Sequence, residues 1–466
     1  MIPMRNLRAL REARISESMQ HGTDLTGYRR GAMAFVRELH ESLGVAVTDQ
    51  GRAIIPLDAR GLPVRPKNVM RPEEYSLRGL AEAIMGHEFV EDYFHPAGGN
   101  GFDFSNRHLL EAAIDPTAFV DISTFNLGVA GLVNAKIMER FNAPDYIGVE
   151  LVEIVPTNQN GHKRIGIANQ SGTTKASKGR QPGEQHQEVG YGEMYQTTPI
   201  TVEQAEKVMV TKEAVFFDLT GDVLRGGEAI GDDLKYGQER DIAASVLGVT
   251  NLASKYNFNG TSYETYQSSS PWVNTQANGI VAGSFDITNI DKARQLFFGM
   301  TDPVTAREIR VVGKAILVNP YQELLLRAQL YTAQISIGSQ NTSAGFPSWW
   351  QQAGNDLAQL GANMGQTGPF TVIPMTSIWY NMLTASATAA NGYNGLAQSA
   401  ANAKQYWYIG DFPRAFEWQE NWPLTPWQAA ADEFIMKDRG LLAAYGANYR
   451  GSMFVKEPRY VVQNTN

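Results

Sequence analysis

Between Asn169 and Thr198 the chain reads NQSGTTKASKGRQPGEQHQEVGYGEMYQTT, a run rich in Gly, Gln and Thr with almost no large aliphatic side chain. Such a segment cannot build a core of its own. A loop this long inside a compact domain is uncommon unless it is functional, disordered or ordered by something outside the domain. Any fold for this chain must therefore account for a long polar excursion. The residues ahead of it, GVELVEIVPTNQNGHKRIGIA, read as two strands joined by a turn at Asn160-Gly161, so a hairpin is predicted where the excursion begins.

The rest of the chain has ample material for cores. At 466 residues it exceeds one ordinary compact unit, which predicts two or more packed regions. Its 43% apolar and 19% charged residues are those of a soluble globular protein. A net charge of -8 argues against a protein that coats DNA phosphates, which needs Lys and Arg, but leaves room for one that encloses nucleic acid. The absence of cysteine excludes disulfides, thiolate nucleophiles and Cys-ligated metals. The start, MIPMRNLRALREARIS, lacks the apolar run of a secretory signal, and no window approaches the ~18 apolar residues of a membrane span. A cytoplasmic setting and no membrane partner are expected.

Hydrophobic periodicity places the main elements. MRNLRALREARISESM and RRGAMAFVRELHESLG read as amphipathic helices, the second with Met33, Val36, Leu39 and Leu43 at helical spacing. Arg5, Arg8, Arg11 and Arg14 form a basic stripe, read as a solvated face ahead of a partner-binding one. Pro56, Pro63, Pro66 and Pro72 break up the connector after the second helix, and PEEYSLRGLAEAIMG restarts a helix. Leu127, Ala130, Gly131, Val133, Ile137 and Met138 mark a helix that buries a broad face, and KVMVTKEAVFFDLTG reads as a strand.

The stretch GDVLRGGEAIGDDLKYGQERDIAASVLG then reads as a long helix, with Leu224, Ile230, Leu234, Ile242 and Val246 on or near one side. Asp232, Asp233, Lys235, Glu239 and Arg240 are expected on its polar face. Its glycines are read as places where another element passes close, at a helix-propensity cost of about 1 kcal/mol each. Thr288 or Asn289 can cap the helix IDKARQLFFGM. REIRVVGKAILVNP is expected as a strand, YQELLLRAQLYTAQ as a helix, and ANYRGSMFVKEPRYVVQ as a long strand bent or bulged near Pro458.

Apparent chemical motifs fail where chemistry needs them. Gly221 and Gly226 have the GxxxxG spacing of a phosphate loop, but Gly227 and Glu228 replace the Lys and Ser/Thr that hold phosphate and magnesium. HEFVE, from His87 to Glu91, lacks the second histidine of a zinc motif, and His95 and His108 could complete it only by folding accident. Asp232 and Asp233 point about 100° apart on a helix and cannot act as a carboxylate pair by themselves. All seven histidines precede position 187, and no serine sits in GxSxG. Seven of the eight tryptophans lie between Trp349 and Trp427, read as packing or subunit contact ahead of sugar or base stacking. No catalytic, cofactor-binding or metal site is assigned, and no enzymatic activity is expected.

The order of segments is more telling. AIDPTAFVDISTFNLGVAGLVNAKIMERF, TKEAVFFDLTGDVLRGGEAIGDDLKYGQERDIAASVLGVTN with KYNFNGTSYETY, and the close GDFPRAFEWQENWPLTPW to RYVVQ resemble tailed-bacteriophage major capsid proteins, whose coat fold is shared with encapsulins and herpesvirus floors. The resemblance covers about residue 110 to the end. It implies an α+β fold: an N-terminal helical arm or accessory region (1–110), the arm and start of a peripheral domain (111–155), an extended loop (156–199), the peripheral domain with its spine helix (200–309), an axial domain (310–430) and a return to the peripheral domain (431–466).

It also implies a structural protein that self-assembles into pentamers and hexamers of an icosahedral head around double-stranded DNA. Portal, scaffold or decoration proteins would be partners, with packaged DNA touched weakly. Some relatives crosslink a loop lysine to a neighbour's asparagine; Lys163, Lys175 and Lys178 occupy that loop, though position alone is weak support. Many relatives lose an N-terminal scaffolding segment by proteolysis. An encapsulin-like compartment and an aromatic-rich carbohydrate-binding protein remain as alternatives.

Overall fold

The computed structural model describes residues 4–19, 25–42, 46–47, 53–54, 77–85, 116–165, 182–183, 195–217, 222–249, 256–258, 260–269, 272–277, 287–301, 308–309, 311–331, 370–386, 395–430 and 441–465. The helices are α1 (Met4–Met19), α2 (Leu25–Ser42), α3 (Leu77–Met85), α4 (Pro116–Phe141), α5 (Gly148–Leu151), α6 (Lys212–Phe217), α7 (Asp222–Leu247), α8 (Ile287–Phe298), α9 (Pro320–Tyr331), α10 (Ser377–Thr384), α11 (Ala400–Ala403) and α12 (Phe412–Ala415). The strands are β1 (Ala46–Val47), β2 (Ala53–Ile54), β3 (Glu153–Pro156), β4 (Lys163–Ile165), β5 (Tyr195–Thr197), β6 (Val202–Thr211), β7 (Tyr256–Phe258), β8 (Thr261–Tyr263), β9 (Thr275–Ala277), β10 (Ala315–Val318), β11 (Thr371–Pro374), β12 (Trp407–Gly410), β13 (Phe416–Ala430), β14 (Leu441–Val455) and β15 (Val461–Thr465). The fold class is α+β, as the resemblance implies. Two compact units form: 1–144 with 203–237 and 422–450, and 145–202 with 238–421 and 451–466.

In the first unit, Gly31 of α2 lies so close to α1 that a Cβ there would sit 2.6 Å from the Ile15 Cα. Arg14 closes the same contact with a 2.7 Å ion pair to Glu38 of α2. Arg11 donates to the Tyr28 hydroxyl at 2.6 Å, and Arg8 pairs with Glu12 at 3.1 Å. Arg8, Arg11 and Arg14 therefore meet partners within their own chain, while the Arg5 side chain lies outside the described residues. Helices α2 and α3 both pack on α4. Val36, Leu39, Leu80 and Ile84 are buried there with Val129, Val133 and Ile137; Met33, expected on the apolar face, is exposed.

Small residues govern how α7 meets α4. A Cβ at Gly227 would come within 3.1 Å of the Val133 side chain, and one at Gly231 would overlap the Ile137 carbonyl oxygen. Four residues apart, the two glycines lie on one helical face and let the helices approach, as their reading as close-approach points anticipates. Ion pairs flank the contact: Arg140 to Asp232 at 3.0 Å and Lys136 to Glu228 at 3.6 Å. The predicted strand KVMVTKEAVFF is corrected. Strand β6 stops at Thr211, whose hydroxyl accepts from the Ala214 amide at 3.1 Å and so caps a helical turn, α6.

In the second unit a five-stranded sheet runs β11-β10-β12-β15-β9. Strands β10 and β11 are parallel, β12 is antiparallel to both β10 and β15, and β15 is parallel to β9. Ile316, Leu317, Val318, Tyr408, Ile409, Val461 and Val462 form its buried centre. Helix α8 begins at Ile287, so Thr288 and Asn289 lie inside its first turn and do not cap it.

Two further strand expectations are corrected. Gly161 does adopt a turn conformation, with φ of 63°, but it does not close a hairpin. Strand β3 pairs in parallel with the start of β13, and β4 pairs antiparallel with β5. Asn160 instead accepts from the Thr201 amide at 2.8 Å, so its turn chemistry serves a contact 41 residues away. The Asn-Gly dipeptide that does mark a hairpin is at 259–260, where Phe258 pairs with Thr261 and Gly260 has φ of 80°. The terminal strand is broken at Pro458 by a short 3-10 turn, and β14 and β15 join different sheets. The fully buried ion pair of Arg459 with Glu457, 3.0 Å long, holds that corner.

Candidate functional site

Among the described residues, the motifs weighed from the sequence do not assemble into a reaction centre. Gly226, Gly227 and Glu228 lie within α7, which leaves no loop there to cradle phosphate; Gly221 is outside the described residues. HEFVE, His95 and His108 are also outside them. Among the described residues no His, Cys, Asp or Glu cluster could hold a metal, and no helix is long and apolar enough to cross a membrane. Trp379, Trp407 and Trp418 are fully buried, which favours the packing reading for them, whereas Trp349 and Trp350 fall outside the described residues.

Two polar clusters that sequence reasoning missed lie in the second unit. The first anchors the strands that flank the long polar stretch. Arg164 of β4 makes a two-pronged contact with Glu417 at 2.8 and 2.9 Å while its guanidinium lies 4.5 Å over the Phe454 ring. Such forked pairing fixes direction as well as distance. Lys456 bonds Glu153 at 2.7 Å and stands 3.8 Å from Glu417. From β5, buried Gln196 donates to the Lys456 carbonyl at 2.8 Å. Both flanking strands are thereby tied to the ends of β13 and β14. Most of the polar stretch, with Lys175 and Lys178, lies outside the described residues; Lys163 sits 4.3 Å over the Tyr195 ring.

The second cluster surrounds Glu239, expected on the polar face of α7 but fully buried. Its carboxylate accepts from the Gly148 amide at 2.8 Å, the Ile147 amide at 3.1 Å and the Trp379 indole at 2.6 Å. One side chain thus joins α7, the start of α5 and α10. Trp379 in turn shields the carboxylate from water. Lys235, also expected on the polar face, is buried in the first unit with its ammonium 4.9 Å over the Phe141 ring.

Two residues along α7, burial pushes the Asp241 carboxyl up to about 6, with neighbouring Arg240 pulling the other way. A raised carboxyl favours folding while protonated, and that contribution is lost as pH rises through about 6. Asp241→Asn is expected to stabilise the chain at pH 7.5 by up to about 2 kcal/mol after solvent screening, and to have little effect at pH 3.5. Urea midpoints at both pH values check this; an equal gain at both would show that the carboxyl is not desolvated.

These clusters position strands and helices through ion pairs and hydrogen bonds. A model described as a phage capsid protein matches residues 195–464, more than half the chain. The chain belongs to the phage capsid protein family. It therefore acts as a major capsid protein, a structural component of the virion capsid. No curated protein matches the sequence.

Among solved structures, the capsid of Cyanophage P-SCSP1u is 11% identical over 69% of this chain and 88% of its own, with a TM-score of 0.38. A structure from Mycobacterium phage Adephagia is 12% identical over 69% and 89%, with a TM-score of 0.37. A virus-like particle from Pyrococcus furiosus is 7% identical over 72% and 98%, with a TM-score of 0.33. At these TM-scores the likenesses carry no weight of their own, and the family match carries the assignment.

Proposed function

We propose that this capsid protein assembles into pentamers and hexamers that close into the icosahedral head of a tailed phage, around double-stranded DNA. The observation that carries the reading is the family match over residues 195–464. In this reading residues 1–110 are an N-terminal helical arm or accessory region, 111–155 lead into the peripheral domain, and 156–199 reach across a neighbouring copy. Residues 200–309 form the peripheral domain with α7 as its spine, 310–430 the axial domain and 431–466 the return. Portal, scaffold or decoration proteins are the further partners, assembly takes place in the host cytoplasm, and the chain has no catalytic role. The net charge of -8 suits a wall that touches DNA weakly, so packaging is not hindered.

Electron microscopy of the expressed full chain tests the reading. Closed shells or capsomers are expected; monomers under every assembly condition would sink it. Tight, salt-sensitive duplex binding would count against the weak-contact part.

The loop anchor yields a separate expectation. Arg164→Gln leaves buried Glu417 with Lys456, 3.8 Å away, as its charged partner among the described residues, at a cost of about 2 kcal/mol. Soluble folded subunits with a several-fold lower particle yield are expected. Wild-type yield and melting temperature would show that the fork does not position the loop.

A further inference from the structure

We propose that the outward face of α9 (Pro320–Tyr331) is a contact surface for a second copy of this chain. The inference rests on the shell reading and names the residues that meet a neighbour. At 100° per residue, Tyr321, Leu324 and Leu325 share one side of α9, and Gln322 and Leu326 share another. Gln322 and Leu326 are buried, so the helix is seated through that side. Leu324 is 81% exposed, Tyr321 65% and Leu325 39%. Helix α8 packs against α9 and ends in Phe298, itself 80% exposed. A single exposed leucine is ordinary, but an apolar stripe along one helix, with a further exposed aromatic on the helix that packs against it, marks an interaction site.

The polar groups around the stripe point to the occupant. Glu323 and Arg327 pair along the helix at 2.8 Å, and the Lys404 ammonium lies 4.5 Å over the Tyr321 ring. A nucleic-acid surface would carry basic groups alone; an apolar centre with a rim of both signs is the composition of a protein interface. Each copy presents both an acid and bases at this rim, so a second copy can be placed acid to base without like-charge repulsion. A capsid protein's defining association is with copies of itself, so the second copy is the occupant of matching chemistry. The other occupant to be tested is residues 332–369 of the same chain, which come directly after α9.

The absence of cysteine makes the test clean, because Leu324→Cys carries the chain's one thiol. Maleimide labelling is compared between assembled particles and full-length subunits released from them. Fast labelling of released subunits with at least ten-fold protection in particles is expected. Equal rates in both states would overturn the proposal, and protection in both would assign the stripe to residues 332–369 and overturn it equally. Leu324→Glu is expected to lower particle yield at least ten-fold while the soluble subunit keeps the wild-type melting temperature, since the replaced side chain is exposed. Normal particles from Leu324→Glu would refute the contact while leaving the shell reading intact. A wild-type chain that forms no particles would sink the shell reading and this inference with it.

Discussion

Glu239→Leu is expected to destabilise the second unit by about 4 kcal/mol or more and to abolish particle formation. Leucine is close in size, so the cost comes from what is left behind. The Ile147 and Gly148 amides and the Trp379 indole would each lose their carboxylate acceptor, the last two in buried positions and the Ile147 amide in a part-buried one. Each stranded donor costs about 1–3 kcal/mol. Glu239→Gln keeps one carbonyl oxygen and turns an amide group toward donors, so it should fall between the two, near 2 kcal/mol. Urea denaturation with particle counts by electron microscopy checks the order wild type, Gln, Leu. A leucine variant as stable as wild type would mean that the three donors find other acceptors.

Gly231→Val should cost the first unit about 3 kcal/mol or more by overpacking the helix contact. The new Cβ would overlap the Ile137 carbonyl oxygen, and the Arg140 side chain stands 3.1 Å from the same point. A backbone carbonyl inside α4 cannot rotate aside, so α4 and α7 must separate and the Arg140 to Asp232 pair must stretch. Gly237→Ala on the same helix is the control. A Cβ there would approach nothing closer than the Tyr449 hydroxyl at 3.8 Å, so helix propensity should raise stability by about 0.5–1 kcal/mol. Thermal melts of both variants decide the matter: loss at both positions would implicate helix conformation in general, whereas loss at Gly231 alone identifies the crossing.

The contrast between those glycines shows what local pattern conveys. The spacing of Leu224, Ile230, Leu234, Ile242 and Val246 announced α7, and all five are buried. Close approach at Gly227 and Gly231 was also legible, because Gly in a helix carries a propensity cost; at Gly237 the same reading fails, since a Cβ there would meet nothing closer than the Tyr449 hydroxyl at 3.8 Å. The same pattern misplaced Lys235 and Glu239. Periodicity sorts residues by polarity, and a charged residue counts as solvated until its hydrogen-bond partners are known. Those of Glu239 lie 91 and 140 residues away.

Strand pairing failed for a related reason. Asn160-Gly161 and Asn259-Gly260 carry the same turn signal, yet only the second joins paired neighbouring strands. A dipeptide sets the local dihedral preference. The partner that a strand meets depends on which distant segments compete for its edge.

By itself, then, the sequence determined the long helices, the close approach at Gly227 and Gly231, the polar composition of residues 169–198 and, through the order of its segments, the likeness to phage coats and with it the α+β class. Each of these arises from neighbours within a few turns of chain or from whole-chain order. Only the tertiary structure decided that Arg164 grips Glu417 across 253 residues, that Glu239 is buried among three donors, and that Leu324 faces outward from a helix whose other side is sealed. Those outcomes depend on which surfaces meet, and burial turns an ordinary surface charge into a structural bond only after the meeting has occurred.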